Sequence, residues 1–312
     1  MKIVEQSVEL LKHDIDPYKF IEKCARTCYK SEDKITDESA VKMVAALATN
    51  KHYAMFEHEY VYFRLSTDAM NIFLTEIDPS LLKYINIGYY DGYISGSLRS
   101  FIELIENYKH PAVQWIAKLL NEKYPEIIND DMAPFYARED DWKDVICLVS
   151  RQDMIDNSSA YSLKMSLPHT LRFITNRGVA NELVRHRPAS FAQESTRYVD
   201  YGNGKNSNQI LVIKPHIGST DILNYENWHY AMLMAETQYM NLRKGGIPAE
   251  IARGVLPMDL KTEIVITATE EEWQHIVDLR YHGITGRPHP QIKELIGMAY
   301  PILQEESNGR IK

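Results

Sequence analysis

"LRFITNRGVANELVRHRPASFAQESTRY", residues 171–198, holds a strand, a break, a short helix and a dense cationic turn in one run. The β-branched and aromatic "LRFIT" reads as a strand, Asn176 to Gly178 interrupt it, and a helix from Val179 leads into Arg185, His186 and Arg187. The triplet therefore sits at a helix end or in the loop after it. The polar run that follows ends in Arg197. Arginine presents a planar fork of donors that stays charged, so converging arginines suit phosphate or an anionic ring oxygen. Ser190, Gln193, Ser195 and Thr196 add neutral groups of the kind that orient a polar ligand. An isolated R-H-R triplet also has a plainer account, a solvated basic turn.

The rest of the composition narrows the ligand. A formal net charge of −8 argues against nonspecific binding along a phosphate backbone, which rests on many dispersed Lys and Arg contacts. A local cationic cluster in an acidic chain points instead to a small anion. With 312 residues, 45% hydrophobic and 25% charged, the chain can bury a sizeable core, as one large domain or two ordinary ones. "MKIVEQSVELLKHD" has no basic n-region followed by an apolar stretch, and no run approaches the ~20 apolar residues of a membrane span. A compact cytosolic fold is expected. Cys24, Cys28 and Cys147 lack metal-ligand spacing and read as small buried thiols, so no metal is expected.

Outward from the motif, "KIVEQSVEL" reads as a strand and "YKFIEKCARTCYK" as a helix. A second helix, "DESAVKMVAALATN", opens with Asp37 as N-cap. "FEHEYVYFRL" alternates as a strand, with His58 on the face of Phe56 and Tyr60. Residues 66–135 read mainly as helix, including "GSLRSFIELIENY" and "PAVQWIAKLLNEKY", and 136–160 as a charged connection. "YGNGKNSN" is a loop before the strand "QILVIKP", and a long helix from Asp221 to Lys244 is closed by Gly245 and Gly246. Pro248 starts the short helix "PAEIARGVL", and "KTEIVITA" is a strand. Thr269 with Glu272 makes a capping box for "EEEWQHIVDLR", before a last helix, "PQIKELIGMAYPIL". No internal repeat and no low-complexity linker is visible. The expectation is one α+β (α/β) domain over 1–312 with a helical insertion at about 66–160.

R-H-R, seven residues, then a serine and an arginine two further on resembles the signature of the flavin-dependent thymidylate synthases, also called ThyX. Arg185, His186, Arg187, Ser195, Arg197 and Tyr198 match it. "FEHEYVYF" is similar to the family's strand with a flavin-facing histidine, here His58, and "CARTCY" to its early A-R-x-S/C segment. "PAEIARGVLP" resembles the segment that supplies a substrate-binding arginine, here Arg253. "WQHIVDLR" ends in Arg280, at the place of the family's uracil-contacting arginine, and "HPQIKEL" resembles the start of its last helix. The resemblance covers roughly residues 1–65 and 165–305. Ala192, Gln193, Thr269, His275 and Glu182 depart from the usual pattern.

The resemblance implies a mainly antiparallel sheet flanked by helices. It also implies reductive methylation of dUMP to dTMP, with methylenetetrahydrofolate as carbon donor, FAD as hydride carrier and NADPH as reductant. Arg185, Gln193, Ser195, Thr196, Arg197, Arg253 and Arg280 would line the dUMP site. Arg253 would come from a neighbouring subunit, and Arg280 and Ser195 would serve the chemistry. His58, Arg185, His186, Arg187, Gln193, Thr269 and His275 would face FAD, held between subunits of a homotetramer. A classical thymidylate synthase needs an activated cysteine thiolate, and none of the three cysteines stands in such a setting. The rivals are a flavoprotein of the same fold without dTMP synthesis, and a nucleotide- or RNA-binding module stacking bases on its tyrosines. Neither a nucleic acid nor a membrane is expected as a partner.

Overall fold

In the computed structural model the described residues are 1–312 except 14, 130, 131, 133–141, 159, 160, 203–207 and 219. Most of the loop at 201–208 and part of the connection at 136–160 lie outside the described residues. Two short strands, β1 (Lys2–Val4) and β2 (Ser7–Leu11), precede helices α1 (Pro17–Tyr29) and α2 (Ser39–Thr49). The Asp16 carboxylate caps α1 by accepting from the Tyr18 and Lys19 amides, with Pro17 in the first turn where no amide is needed. Asp37 does not cap α2. Its carboxylate turns outward to Lys19 at 3.2 Å, and the turn is closed by Ser39 Oγ, which accepts from the Thr36 amide.

Residues Tyr53–His58 wind into a 3-10 turn, so only Tyr60–Leu65 extends, as β3. The turn wins because it stacks Tyr53 on Phe56, its i+3 neighbour, while burying both Phe56 and His58. Next come α3 (Thr67–Thr75), β4 (Ile85–Gly88), β5 (Tyr93–Ser97), α4 (Leu98–Asn107), α5 (Pro111–Lys123) and β6 (Ile146–Val149). The segment at about 66–160 thus adds strands to the helices expected there. They join β3 in an antiparallel sheet of order β4-β5-β3-β6. Phe63, Ile94, Phe101, Trp115 and Ile116 form the core over that sheet.

The chain continues through α6 (Arg151–Asn157), α7 (Tyr161–Met165), β7 (Pro168–Asn176), α8 (Arg177–Leu183) and β8 (Ser190–Gln193). It then runs through β9 (Leu211–Ile213), α9 (Ile222–Lys244), α10 (Ala249–Ala252), β10 (Lys261–Thr269), α11 (Glu270–Val277) and α12 (Pro290–Glu306). The second antiparallel sheet has the order β2-β7-β10-β8, while β1 and β9 pair in parallel beside it. The molecule is α+β. The break at Asn176 to Gly178 is the N-terminus of α8, where Asn176 Oδ1 accepts from the Val179 amide at 2.7 Å. Gly246, at φ +83°, takes the left-handed position that ends α9. Leu171, Phe173, Ile264, Ile266, Trp273 and Leu295 fill the second core. On α9, Met232 and Tyr239 point inward, whereas Ile222, Leu223, Tyr230, Leu233 and Met234 are exposed.

Candidate functional site

The cationic triplet hangs from the end of α8, and a five-residue π turn at Asp278–His282, beyond α11, brings Arg280 to it. Arg280 Nε donates to His186 Nε2 at 3.2 Å, and Arg280 Nη1 meets Glu182 Oε2 at 2.9 Å. Because the guanidinium N–H needs a lone pair at Nε2, the imidazole proton belongs on Nδ1. That atom lies 3.3 Å from Glu272 Oε1, a buried oxygen that makes no aligned hydrogen bond. Thr269 Oγ1 accepts from the Glu272 amide at 3.4 Å, so half of the expected capping box forms. The other half does not, because the Glu272 carboxylate turns to His186 instead. The His275 ring stands edge-on to His186, with centroids 5.8 Å apart.

His186, Glu272 and His275 place ligand atoms within 4.8 Å of one another, a set able to take a divalent cation. His186 is only 6% exposed, and Arg280 already occupies its Nε2 lone pair. The cluster therefore also works without an ion, as the holder of Arg280. Arg185 and Arg187 point outward beside it, exposed and without side-chain partners among the described residues.

A second group gathers along the strand edge after β8. The Ser195 amide donates to Cys28 O at 2.9 Å, and Ser195 Oγ accepts from the Arg197 amide at 3.3 Å. Arg253 Nη1 donates to Thr196 Oγ1 at 3.3 Å within the same chain. Arg197 is exposed, with Nε 3.6 Å from Glu250 and its guanidinium over the Tyr198 ring. Gln193 Nε2 reaches Thr262 Oγ1 at 3.4 Å. Beneath this edge lies an arginine that the motif reading missed. Arg177 Nη1 donates to Glu194 O at 2.9 Å and to Thr262 Oγ1 at 3.2 Å. Burial lowers its pKa, and the charge of Arg253 adds a smaller push the same way. Glu194, 1% exposed, is held by Lys261 at 3.0 Å and by the Tyr201 hydroxyl at 2.9 Å. Its place between Gln193 and Ser195 was the available signal, since a carboxylate inside a cationic motif needs partners if it is buried.

His58 is fully enclosed. Its Nδ1 lies 2.7 Å from Thr267 Oγ1 on β10, its Nε2 has no partner among the described residues, and burial lowers its pKa to about 4. The structure therefore brings together His186, His275 and Arg280 in one group, and Gln193, Ser195, Thr196, Arg197 and Arg253 in another. His58 stays inside, and Thr269 acts as a helix cap.

This fold and arginine set define an α+β protein with arginines gathered around His186 and along the strand edge after β8. Residues 163–307 match the family described as thymidylate synthase complementing protein. Flavin-dependent thymidylate synthases from Pyrococcus abyssi and Geobacter sulfurreducens are each 35% identical, over 42% and 34% of this chain and 50% and 44% of theirs. A probable flavin-dependent thymidylate synthase of Paramecium bursaria Chlorella virus 1 is 30% identical over 38% of this chain and 60% of its own. The chain spans about half the length of the curated relatives it matches. A solved UMP/dUMP methylase PolB from Streptomyces cacaoi, bound with 5-Br dUMP, is 15% identical at a TM-score of 0.43, over 100% of this chain and 99% of that one. The chain is thus similar, over part of its length, to the flavin-dependent thymidylate synthases. Among the described residues no helix is long and apolar enough to cross a membrane.

Proposed function

We propose that this protein is a flavin-dependent thymidylate synthase acting in the cytoplasm, converting dUMP to dTMP with methylenetetrahydrofolate, FAD and NADPH. The observation that carries this reading is the meeting of Arg280 with His186 of the R-H-R motif across 94 positions of sequence. An isolated basic turn would not recruit a distant arginine through an oriented imidazole.

The residues present fit a flavin dinucleotide, because Arg185 and Arg187 offer unpaired guanidinium groups of the kind a diphosphate takes. When bound, the flavin supplies the hydride chemistry. The chain's own groups bind and orient. Arg253, Arg197, Thr196 and Ser195 line one edge with the donors that a nucleotide phosphate and sugar require. Arg280, with its orientation fixed by His186, places fixed positive charge where a pyrimidine ring gains negative charge at C5. Ser195 serves as a hydrogen-bonding group rather than a nucleophile, since its Oγ has a backbone amide partner and, among the described residues, no base is bonded to it. His186, His275, Gln193 and Thr269 are assigned to the flavin side by the same reading. His58 would act on it through Thr267 from beneath. The exposed apolar residues of α9 support assembly with further copies, as a homotetramer.

One observation favours a second reading. Glu182 holds Arg280 at 2.9 Å, so the assigned uracil contact is shared with a carboxylate, as in a flavoprotein that no longer makes dTMP. Purified protein should show flavin absorbance near one equivalent per chain. It should release tritium from [5-3H]dUMP only with methylenetetrahydrofolate and NADPH present. A yellow protein with no release would select the second reading, and a colourless one that fails to take up FAD would remove both.

A further inference from the structure

The two four-stranded sheets share one topology. Taken from the edge, β4-β5-β3-β6 and β8-β10-β7-β2 follow the same order, and every neighbouring pair is antiparallel. In each, a strand (β3 or β7) leads through a helix (α3 or α8) to an edge strand (β4 or β8). A returning strand (β5 or β10) and two helices follow (α4 and α5, or α11 and α12). The registers also agree. Tyr60 pairs with Ser97 as Pro168 pairs with Thr269, and Ser97 and Thr269 are the N-caps of α4 and α11. The first amide of each helix, at Leu98 or Glu270, donates to the residue just before the strand, Glu59 or Leu167, at 2.7 and 2.9 Å. The last helix of each set begins His-Pro, at His110-Pro111 and His289-Pro290. The sequence shows no repeat, but the structure does.

The leading segments of the two sets are exchanged. β2 comes before the first set yet pairs with β7 of the second, and β6 comes before the second yet pairs with β3 of the first. α1 lays Phe20 and Cys24 on Ala192 and Val265, while α6 and α7 lay Met154 and Leu163 on Tyr62 and Tyr93. Polar contacts repeat as well. His58 Nδ1 lies 2.7 Å from Thr267 Oγ1, and the registers make Ser166 and Ser95 their counterparts, 3.4 Å apart. Reciprocal contacts of this kind are the mark of a twofold interface.

The sets differ where a ligand would sit. The turn after α3 reads Glu76-Ile77-Asp78-Pro79, against Arg185-His186-Arg187-Pro188 after α8. Counting forward from the N-caps, Tyr108 stands at the place of Arg280, Ser100 at that of Glu272 and Glu103 at that of His275. β4 reaches β5 through residues 89–92 alone, whereas 194–260 separate β8 from β10 and carry Ser195, Thr196, Arg197 and Arg253.

We propose that the chain is a fused pair of copies of one folding unit that exchange their leading segments about a local twofold. It carries a single anion site, in the second copy, and the first copy is a ligand-free partner built into the chain. What reads as an insertion at about 66–160 is then most of that first copy. The partner does touch the site from behind, since Cys28 O takes the Ser195 amide and the Tyr29 ring lies 5.1 Å from Tyr198. The location and number of the site rest on the nucleotide reading above, but the fused pair does not.

Two measurements on the full chain separate them. Hydrogen exchange in graded denaturant should show β3 and β5 opening at the same free energy as β7 and β10, because each sheet contains a strand of the other copy. Separate opening of the two sheets would overturn the fused pair. Equilibrium dialysis should give one dUMP per chain, with affinity at least tenfold weaker in Arg253→Ala and within twofold of wild type in Glu76→Ala/Asp78→Ala. Two dUMP per chain, or a loss in the Glu76/Asp78 variant, would overturn the ligand-free role. Common opening with no dUMP bound would uphold the fused pair and remove the dUMP reading.

Discussion

The turn after α3 and the turn after α8 hang from equivalent strands and helices, yet one carries two acids and the other two arginines around a histidine. Their surroundings explain how one scaffold tolerates both. Phe101 and Trp273 occupy the same place in α4 and α11, both fully buried over the strand that precedes them. Ser97 and Thr269 cap those helices in the same way. Core and caps keep what the fold needs, while the exposed turn and the end of the following helix are free to change. The difference in charge thus lies in a few surface positions that the packing does not dictate.

If the copies are equal as scaffold and unequal as site, substitutions should sort accordingly. Phe101→Ala and Trp273→Ala should each cost about 3–5 kcal/mol of unfolding free energy, read from urea titrations. A large cost in one copy and a small cost in the other would break the equality. Arg280→Ala should lower kcat/KM for dTMP formation by about 10²–10³-fold while keeping its flavin absorbance. Tyr108→Phe, at the equivalent place, should stay within twofold of wild type, and normal turnover in Arg280→Ala would dismiss its assigned role.

The buried ionisable groups flanking β3 give opposite pH trends. His58 is neutral when folded to about pH 4 but protonates near 6.5 when unfolded, so its contribution is present above 6.5 and lost as pH falls towards 4. Glu59 runs the other way. Burial raises it from 4.5 to about 7, so its contribution is present below 4.5 and lost as pH rises through 7. Glu59→Gln, which keeps an acceptor for the Tyr124 hydroxyl, should therefore be more stable than wild type at pH 8, by about 3 kcal/mol at most. The two should match at pH 4, and an equal difference at both would show that Glu59 is charged in the fold. The smallest effect concerns the caps. Ser97→Ala and Thr269→Ala should each cost about 1 kcal/mol, but only the second should also weaken dUMP binding, because α11 carries Glu272, which faces the His186 that orients Arg280.

Much of the second copy was legible. "LRFIT", the break at Asn176 and the helix into Arg185 are local signals, and β7 and α8 follow them. The first copy was less so. "FEHEYVYFRL" alternates from Phe56, but a 3-10 turn buries the same side chains, and periodicity alone does not separate the two. The repeat was illegible because the copies share registers, caps and burial rather than residue identity. Glu272 was read as a capping partner, and only the approach of His186 shows its carboxylate turned elsewhere.

The sequence by itself determined the cationic motif, the acidic balance around it and most helix and strand positions, because these depend on residue type and short spacing. Tertiary structure alone decided that Arg280 binds His186 and that Arg177 binds the Glu194 carbonyl and Thr262. It also decided that β2 and β6 cross to each other's sheets. Those facts are pairings between distant segments, set by strand register and by how two cores close, and neither leaves a mark on the local pattern.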